Sequence, residues 1–99
     1  MSRVPKNVAR DFSDGVLVAE MMNNHFPTLV HVHNYPPANS SAAKYINWKT
    51  LNEKVFRKLN FQINRNDIEN IINSKYGTIE RVLYQIYTKV IFHQNKLLK

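Results

Sequence analysis

The sequence contains no cysteine, only two glycines and no long apolar run. Without cysteine there can be no disulfide, thiolate metal site or thiol nucleophile, and a reducing compartment such as the cytoplasm is favoured for a domain of this size. The glycines, Gly15 and Gly77, stand far apart and form no phosphate-cradling loop. No segment approaches the roughly 20 apolar residues of a membrane span, so we predict no membrane-spanning segment, and no membrane is among the partners that we finally predict.

Acidic residues are also scarce. The chain has 7 Asp and Glu against 14 Lys and Arg, which gives a formal net charge of +7. Such an excess implies an acidic partner, whether nucleic acid, an anionic membrane or a polyanionic protein surface. Surplus lysine that serves only solubility is the competing interpretation.

The polar residues suggest no catalytic chemistry. His31 and His33, with His25 nearby, are the only cluster that resembles a set of metal ligands, and no acidic residue between Glu20 and Glu53 completes it. We therefore predict no metal, no cofactor, no catalytic residue and no small-molecule substrate. On these grounds the chain is expected not to be an enzyme.

The hydrophobic periodicity predicts an all-α fold, an irregular bundle of about four helices in one domain over residues 1–99. The first predicted helix begins at Ser13 or Asp14 and ends near His25. Three further helices are predicted over about 43–59, 67–74 and 78–96. Residues 1–12 are expected to be irregular. Residues 27–43 are expected to form a long connection, pinned by Val30, Val32 and Tyr35, with a possible short strand around 30–33.

Two helices carry informative side-chain patterns. In the helix predicted over 43–59, Trp48, Leu51, Val55 and Leu59 form one apolar stripe, which predicts that Trp48 lies in the core. On the same helix, Glu53 and Arg57 have the spacing of an i,i+4 ion pair. The last helix has the core stripe Ile79, Val82, Leu83, Ile86 and Val90. Tyr84, Ile91 and Phe92 lie off that stripe, so either this helix is covered on two sides or these residues form a contact surface.

Four motifs carry a resemblance to a known family. They are R-D-F-S-D-G-V-L-V-A-E at 10–20, preceded by Pro5-Lys6, H-N-Y at 33–35, N-W-x-x-L-N at 47–52, and L-N-F at 59–61. Together they resemble the calponin-homology-like domain of the sperm flagellar protein, or CLAMP, family. Such domains usually open with an amphipathic helix that bears a tryptophan, and this chain begins after that point. We therefore expect the domain to be N-terminally incomplete and to lack that first helix.

The missing helix has a structural consequence. Loss of that helix would expose an apolar groove between the Val16–Met22 helix and the last helix, and such a groove invites a homodimer, domain swapping or a partner's helix.

The resemblance implies a non-catalytic module that binds microtubules, in the axonemes of cilia and flagella or in other stable arrays of the cytoskeleton. Alternatives are an actin-binding calponin-homology domain, which is the weaker analogy, and a basic helical nucleic-acid-binding domain. Lys6 and Arg10 occupy the family's basic positions before the helix, although Arg10 can instead pair with Asp11 or Asp14. The predicted microtubule-binding residues are Arg3, Lys6, Arg10, Lys54, Arg57 and Lys58.

Overall fold

A computed structural model describes residues 8–97 of the chain, with side chains described for residues 9–94. This part is all-helical, as predicted, and contains no strand. The α-helices are α1 (Val8–Asp11), α2 (Val16–His25), α3 (Ser41–Lys54), α4 (Arg65–Ile72) and α5 (Thr78–Leu97). Two 3₁₀ helices lie at Val32–Asn34 and Phe56–Leu59. The prediction of about four helices omitted α1, because a single turn leaves no periodicity in the sequence. No helix in the described part is both long and apolar enough to cross a membrane.

The second helix begins at a tight turn, because Gly15 adopts the left-handed conformation (φ 82°) immediately before it. The Asp14 carboxylate accepts a hydrogen bond from the Val16 amide at 3.0 Å, and so satisfies one of the free donors of the helix. The Ser13 hydroxyl instead donates to the Arg10 carbonyl at 2.7 Å. Of the two predicted caps, Asp14 is therefore the one that bonds the helix.

The connection after α2 is held down by two of its three predicted side chains, whereas the third, Val32, is only half-buried. Val30 and Tyr35 are buried, and the Asn23 amide donates to the Val30 carbonyl at 2.9 Å. The possible strand near residues 30–33 is wrong, because the structure forms the Val32–Asn34 3₁₀ helix there. With no neighbouring strand to pair with, the backbone satisfies its hydrogen bonds locally.

Helix α3 begins two residues before its predicted start, at Ser41. The Ser40 hydroxyl accepts a hydrogen bond from the Ala43 amide at 3.1 Å, which is the usual N-cap arrangement. The predicted apolar stripe is buried as expected: Trp48, Leu51, Val55 and Leu59.

The end of α3 differs from the prediction. The helix stops at Lys54, since the backbone of Val55 (φ −120°, ψ −64°) departs from α-helical geometry and the chain continues as the second 3₁₀ helix. The predicted ion pair between Glu53 and Arg57 is wrong, and no such pair occurs in the described part of the chain. An i,i+4 pair needs an unbroken α-helix, which ends here before Arg57.

Helices α4 and α5 pack against each other and share an ion pair. Asn64 caps α4 by accepting a hydrogen bond from the Asp67 amide at 2.8 Å. Arg81 of α5 donates two hydrogen bonds to the Asp67 carboxylate, at 2.6 and 3.2 Å, a forked geometry that strengthens the pair. The buried apolar residues of the two helices are Ile68, Ile71, Ile72, Ile79, Val82, Ile86 and Val90.

Two neighbouring side chains of α3 hold the turn that precedes α2. The fully buried Trp48 donates its indole N–H to the Ser13 carbonyl at 2.9 Å. The Asn47 amide donates to the Asp14 carbonyl at 2.9 Å and to the Pro36 carbonyl at 2.8 Å. We call these three hydrogen bonds the α3 clamp. Because it joins α3 to both the turn and the connection, it fixes three segments that are distant in sequence.

We expect Asn47→Ala to lower the free energy of unfolding by about 2 to 3 kcal/mol, because two carbonyls lose their donor and each unsatisfied group costs about 1 to 3 kcal/mol. Urea denaturation measures this loss. The matched control is Asn24→Ala, since the Asn24 side chain is exposed and forms no hydrogen bond with the described part of the chain. It should change stability by no more than about 0.5 kcal/mol. Equal losses in the two variants would contradict the role of the clamp.

Candidate functional site

Three of the predicted microtubule-binding residues lie close together where α3 ends and the second 3₁₀ helix begins. Lys54 ends α3, and Arg57 and Lys58 belong to the 3₁₀ helix. All three side chains are exposed. Their neighbours Val55 and Phe56 are fully buried, so the segment is anchored on its apolar side and presents its cations to solvent. We call Lys54, Arg57 and Lys58 the basic cluster.

Two members of the basic cluster line one cleft. Lys54 and Lys58 face the connection after α2 across a space of about 290 Å³. The other lining residues are Thr28, Leu29, His31, Asn34 and Tyr35. No Asp or Glu is among the described residues that line this space, so its only formal charges are positive. We call it the basic cleft.

Arg57 lies at a separate, shallower recess. That recess has a volume of about 370 Å³ and is also lined by Asn60, Phe61 and Gln62. The recess is therefore polar, with a single charged member. The basic cluster thus presents cations to two adjacent parts of the surface.

The remaining predicted microtubule-binding residues are not part of the basic cluster. Arg10 lies in α1, lines neither recess, and has a side chain that is 72% exposed. Its guanidinium Nε lies 3.8 Å from a carboxylate oxygen of Asp11, a long surface pair that contributes little to stability. The predicted pairing of Arg10 with Asp11 is therefore present. Arg3 and Lys6 lie outside the described residues.

The histidines do not form the metal-ligand cluster that the sequence raised as a possibility. His31 and His33 have ring centroids 5.9 Å apart, while His25 contacts Gln94 of α5. Among the described residues, no three His, Asp or Glu side chains are grouped so that they could hold a metal ion. His31 instead lines the basic cleft. Sequence reasoning missed this role, because only the fold brings residue 31 opposite Lys54 and Lys58.

An apolar groove occupies the place expected between α2 and α5. It has a volume of about 250 Å³. Its lining residues are Phe12, Met21, His25, Leu83, Ile86, Tyr87 and Val90. Five of these seven side chains are purely hydrocarbon or thioether groups, so the groove is suited to apolar contacts.

An exposed aromatic strip runs along the same helix. Tyr84, Ile91 and Phe92 are 72%, 38% and 68% exposed, so the interpretation in which both sides of α5 are covered is wrong for these residues. Lys89 is the only charged residue between positions 82 and 94. This stretch of α5 therefore carries little charge, on an otherwise strongly basic chain.

Comparison with known proteins identifies the family. The family described as the CH-like domain in sperm protein matches residues 1–88. The chain belongs to this family of calponin-homology-like domains. Proteins named sperm flagellar protein 1 are similar to it, with 47% identity over 90 residues in Xenopus laevis, 43% over 96 in Bos taurus and 42% over 96 in Homo sapiens.

These matches cover most of this chain but less than half of each relative. They cover 91% to 97% of this chain but only 39% to 41% of the relatives. The chain therefore spans about two-fifths of the length of the curated relatives it matches. The family resemblance drawn from the four motifs is confirmed.

The titration of Tyr35, which lines the basic cleft, can be used to test whether this side chain is buried. Burial raises the pKa of the Tyr35 phenol above its ordinary value of 10.0. The folded chain then holds this proton where the unfolded chain has lost it. The stabilising contribution is complete below about pH 10 and falls as the pH rises through the raised pKa.

We expect Tyr35→Phe to make the alkaline fall in stability shallower, as measured by urea unfolding between about pH 9 and pH 11. The control is Tyr76→Phe, because Tyr76 is 94% exposed. In this variant the free energy of unfolding should fall with pH as steeply as in the unsubstituted chain. If both variants followed the unsubstituted chain, Tyr35 would not be the group whose burial matters.

Proposed function

We propose that this chain is a non-catalytic module that binds microtubules through the basic cluster, as part of a ciliary or flagellar protein. The observation that carries the proposal is the group of three exposed cations on an anchored turn. Membership of the family and the name of the relatives, sperm flagellar protein 1, support a cytoskeletal setting. Flagella are built on microtubules, whose outer surface and tubulin tails are acidic.

Electrostatics provides the physical reason. A chain with net charge +7 is attracted to a polyanionic lattice before any contact forms. The attraction acts over about 10 Å at 0.1 M ionic strength, so binding should weaken as salt is added. Because the basic cluster lies on an anchored turn, fewer backbone conformations are lost when its partner binds.

The geometry of the clefts favours binding over catalysis. The basic cleft, at about 290 Å³, lies at the lower limit of the volumes typical of small-molecule sites. Among the described residues that line it, there is no carboxylate to act with His31 as an acid–base pair. These features support a surface that recognises a charged partner.

We expect reversal of the basic cluster, Lys54→Glu with Arg57→Glu and Lys58→Glu, to weaken co-sedimentation with polymerised tubulin by about tenfold. Exposed ion pairs contribute about 0.2 to 1 kcal/mol each. The matched control is Lys44→Glu with Lys49→Glu and Lys75→Glu, which gives the same net charge from lysines outside the cluster. Equal weakening would show that only net charge matters and would contradict the proposed surface.

The same assay tests the basic segment of Arg3, Lys6 and Arg10. We expect Lys6→Glu with Arg10→Glu to reduce pelleting, and unchanged pelleting would remove this segment from the proposed surface. Parallel sedimentation with F-actin and titration of duplex DNA test the alternatives. Binding to either one without binding to microtubules would overturn the proposed function.

The groove and the aromatic strip support a second proposal, a homodimer. Both include residues of α5, so a two-fold axis could pair the α5 helices of two copies. This stretch of α5 carries little charge, and pairing it would keep the basic clusters of both copies in solvent. A contact along one helix is smaller than the roughly 800 Å² per partner of standard interfaces, so the dimer should be weak.

Sedimentation equilibrium tests the homodimer directly. We expect a mass that rises with concentration, and Tyr87→Lys should abolish this rise because it places a charge in the groove. Tyr76→Lys, which changes an exposed tyrosine outside the groove, should leave it unchanged. A monomer at every concentration would contradict the proposal.

A further inference from the structure

We propose that the basic cleft is a receptor for the carboxylate side chains of an acidic, glutamate-rich peptide segment. This inference rests on the proposed function, because the segment would belong to the acidic surface of the microtubule. It goes further by naming which part of the chain receives the ligand and what chemistry the ligand carries.

One wall of the cleft supplies the charge. Lys54 and Lys58 lie on either side of the turn at Val55, and both line the same space. Val55 is fully buried and Leu59 is 6% exposed, so the backbone under the two lysines is fixed by the core. Lysine ammonium groups form short, charge-assisted hydrogen bonds with carboxylates.

The opposite wall is a part of the connection that the fold holds in place. Val30 and Tyr35 are 1% and 3% exposed, and the Asn23 amide bonds the Val30 carbonyl at 2.9 Å. The 3₁₀ helix between them closes with a bond from the Tyr35 amide to the Val32 carbonyl, also at 2.9 Å. A cleft with both walls fixed does not have to order itself when a ligand arrives.

The lining chemistry selects an anion. Besides the lysines, Thr28, His31 and Asn34 bring groups that can donate hydrogen bonds, and no carboxylate is among the described lining residues. A concave surface with charge of one sign concentrates ligands of the opposite sign. Carboxylates, which only accept hydrogen bonds when ionised, fit this set of donors.

The size and shape favour a peptide over a nucleotide or nucleic acid. A space of about 290 Å³ is at the lower limit for cofactor-sized ligands. Tyr35 is 3% exposed and offers no open ring face on which a base could stack, so the His31 imidazole is the one exposed ring among the described lining residues. One or two glutamate side chains of an extended segment would fill the space.

The test is a titration of the ¹⁵N-labelled full chain with hexaglutamate, followed by amide chemical shifts. We expect shifts at Thr28, His31, Asn34, Lys54 and Lys58, and none with hexaglutamine. Lys54→Gln with Lys58→Gln should raise the Kd by about fivefold or more, since two exposed pairs are lost. Lys49→Gln with Lys75→Gln removes the same charge outside the cleft and should raise it less than twofold.

A second pair of variants leaves the lysines intact. Thr28→Glu places a carboxylate in the cleft and should abolish peptide binding, whereas Thr88→Glu on the exposed side of α5 should leave it almost unchanged. Equal weakening within either pair of variants would overturn the inference. So would inorganic phosphate that binds at the same amides as tightly as the peptide, since the site would then be a general anion site.

Failure of this inference and failure of the proposed function give different results. If hexaglutamate does not bind, but the chain pellets equally with intact and tail-free microtubules, the inference fails and the proposed function stands. If hexaglutamate binds in the cleft but the chain does not pellet with microtubules, the cleft remains a peptide site and the proposed function fails. Agreement requires both peptide binding and weaker pelleting with tail-free microtubules.

Discussion

The hydrogen bonds from Asn47 and Trp48 to the turn before α2 are the constraint on which the rest of this fold depends. The turn needs Gly15, because its φ of 82° is left-handed, a conformation that residues with a β-carbon rarely adopt. Because the bonds are donated by buried side chains, the turn, the connection and α3 must all be in place together. The two longest sequence motifs are therefore the two halves of one contact.

Further residues of the motifs have structural roles of the same kind. The Asn52 side chain exchanges two hydrogen bonds with the backbone of Ile63, at 2.8 and 2.9 Å, and so fixes the chain after the second 3₁₀ helix. Asn60 takes a left-handed conformation (φ 57°) at the end of that helix, where Phe61 packs edge-on against Phe56. Residues that identify the family thus hold the segment that presents the basic cluster, while the cations themselves are free to meet a partner.

The sequence predicted the α-helical class, the core stripes and most helix ends, because periodicity, prolines and capping residues act locally. It could not predict the break at Val55, since nothing in the local sequence marks a change from α to 3₁₀ geometry there. The basic cleft could not be predicted from the sequence either. His31 stands far from Lys58 in the chain, and only the packing of the connection brings the two to one space. The Arg81–Asp67 pair was missed for the same reason.

We propose that the basic cluster contacts acidic groups of the microtubule. Carbodiimide cross-linking of the bound chain is the sharpest test, because this reagent joins a lysine amine to a carboxylate only when the two are in contact. We expect mass spectrometry to find Lys54 and Lys58 joined to glutamates of tubulin. Cross-links confined to Lys49, Lys75 or other lysines outside the cluster would contradict it.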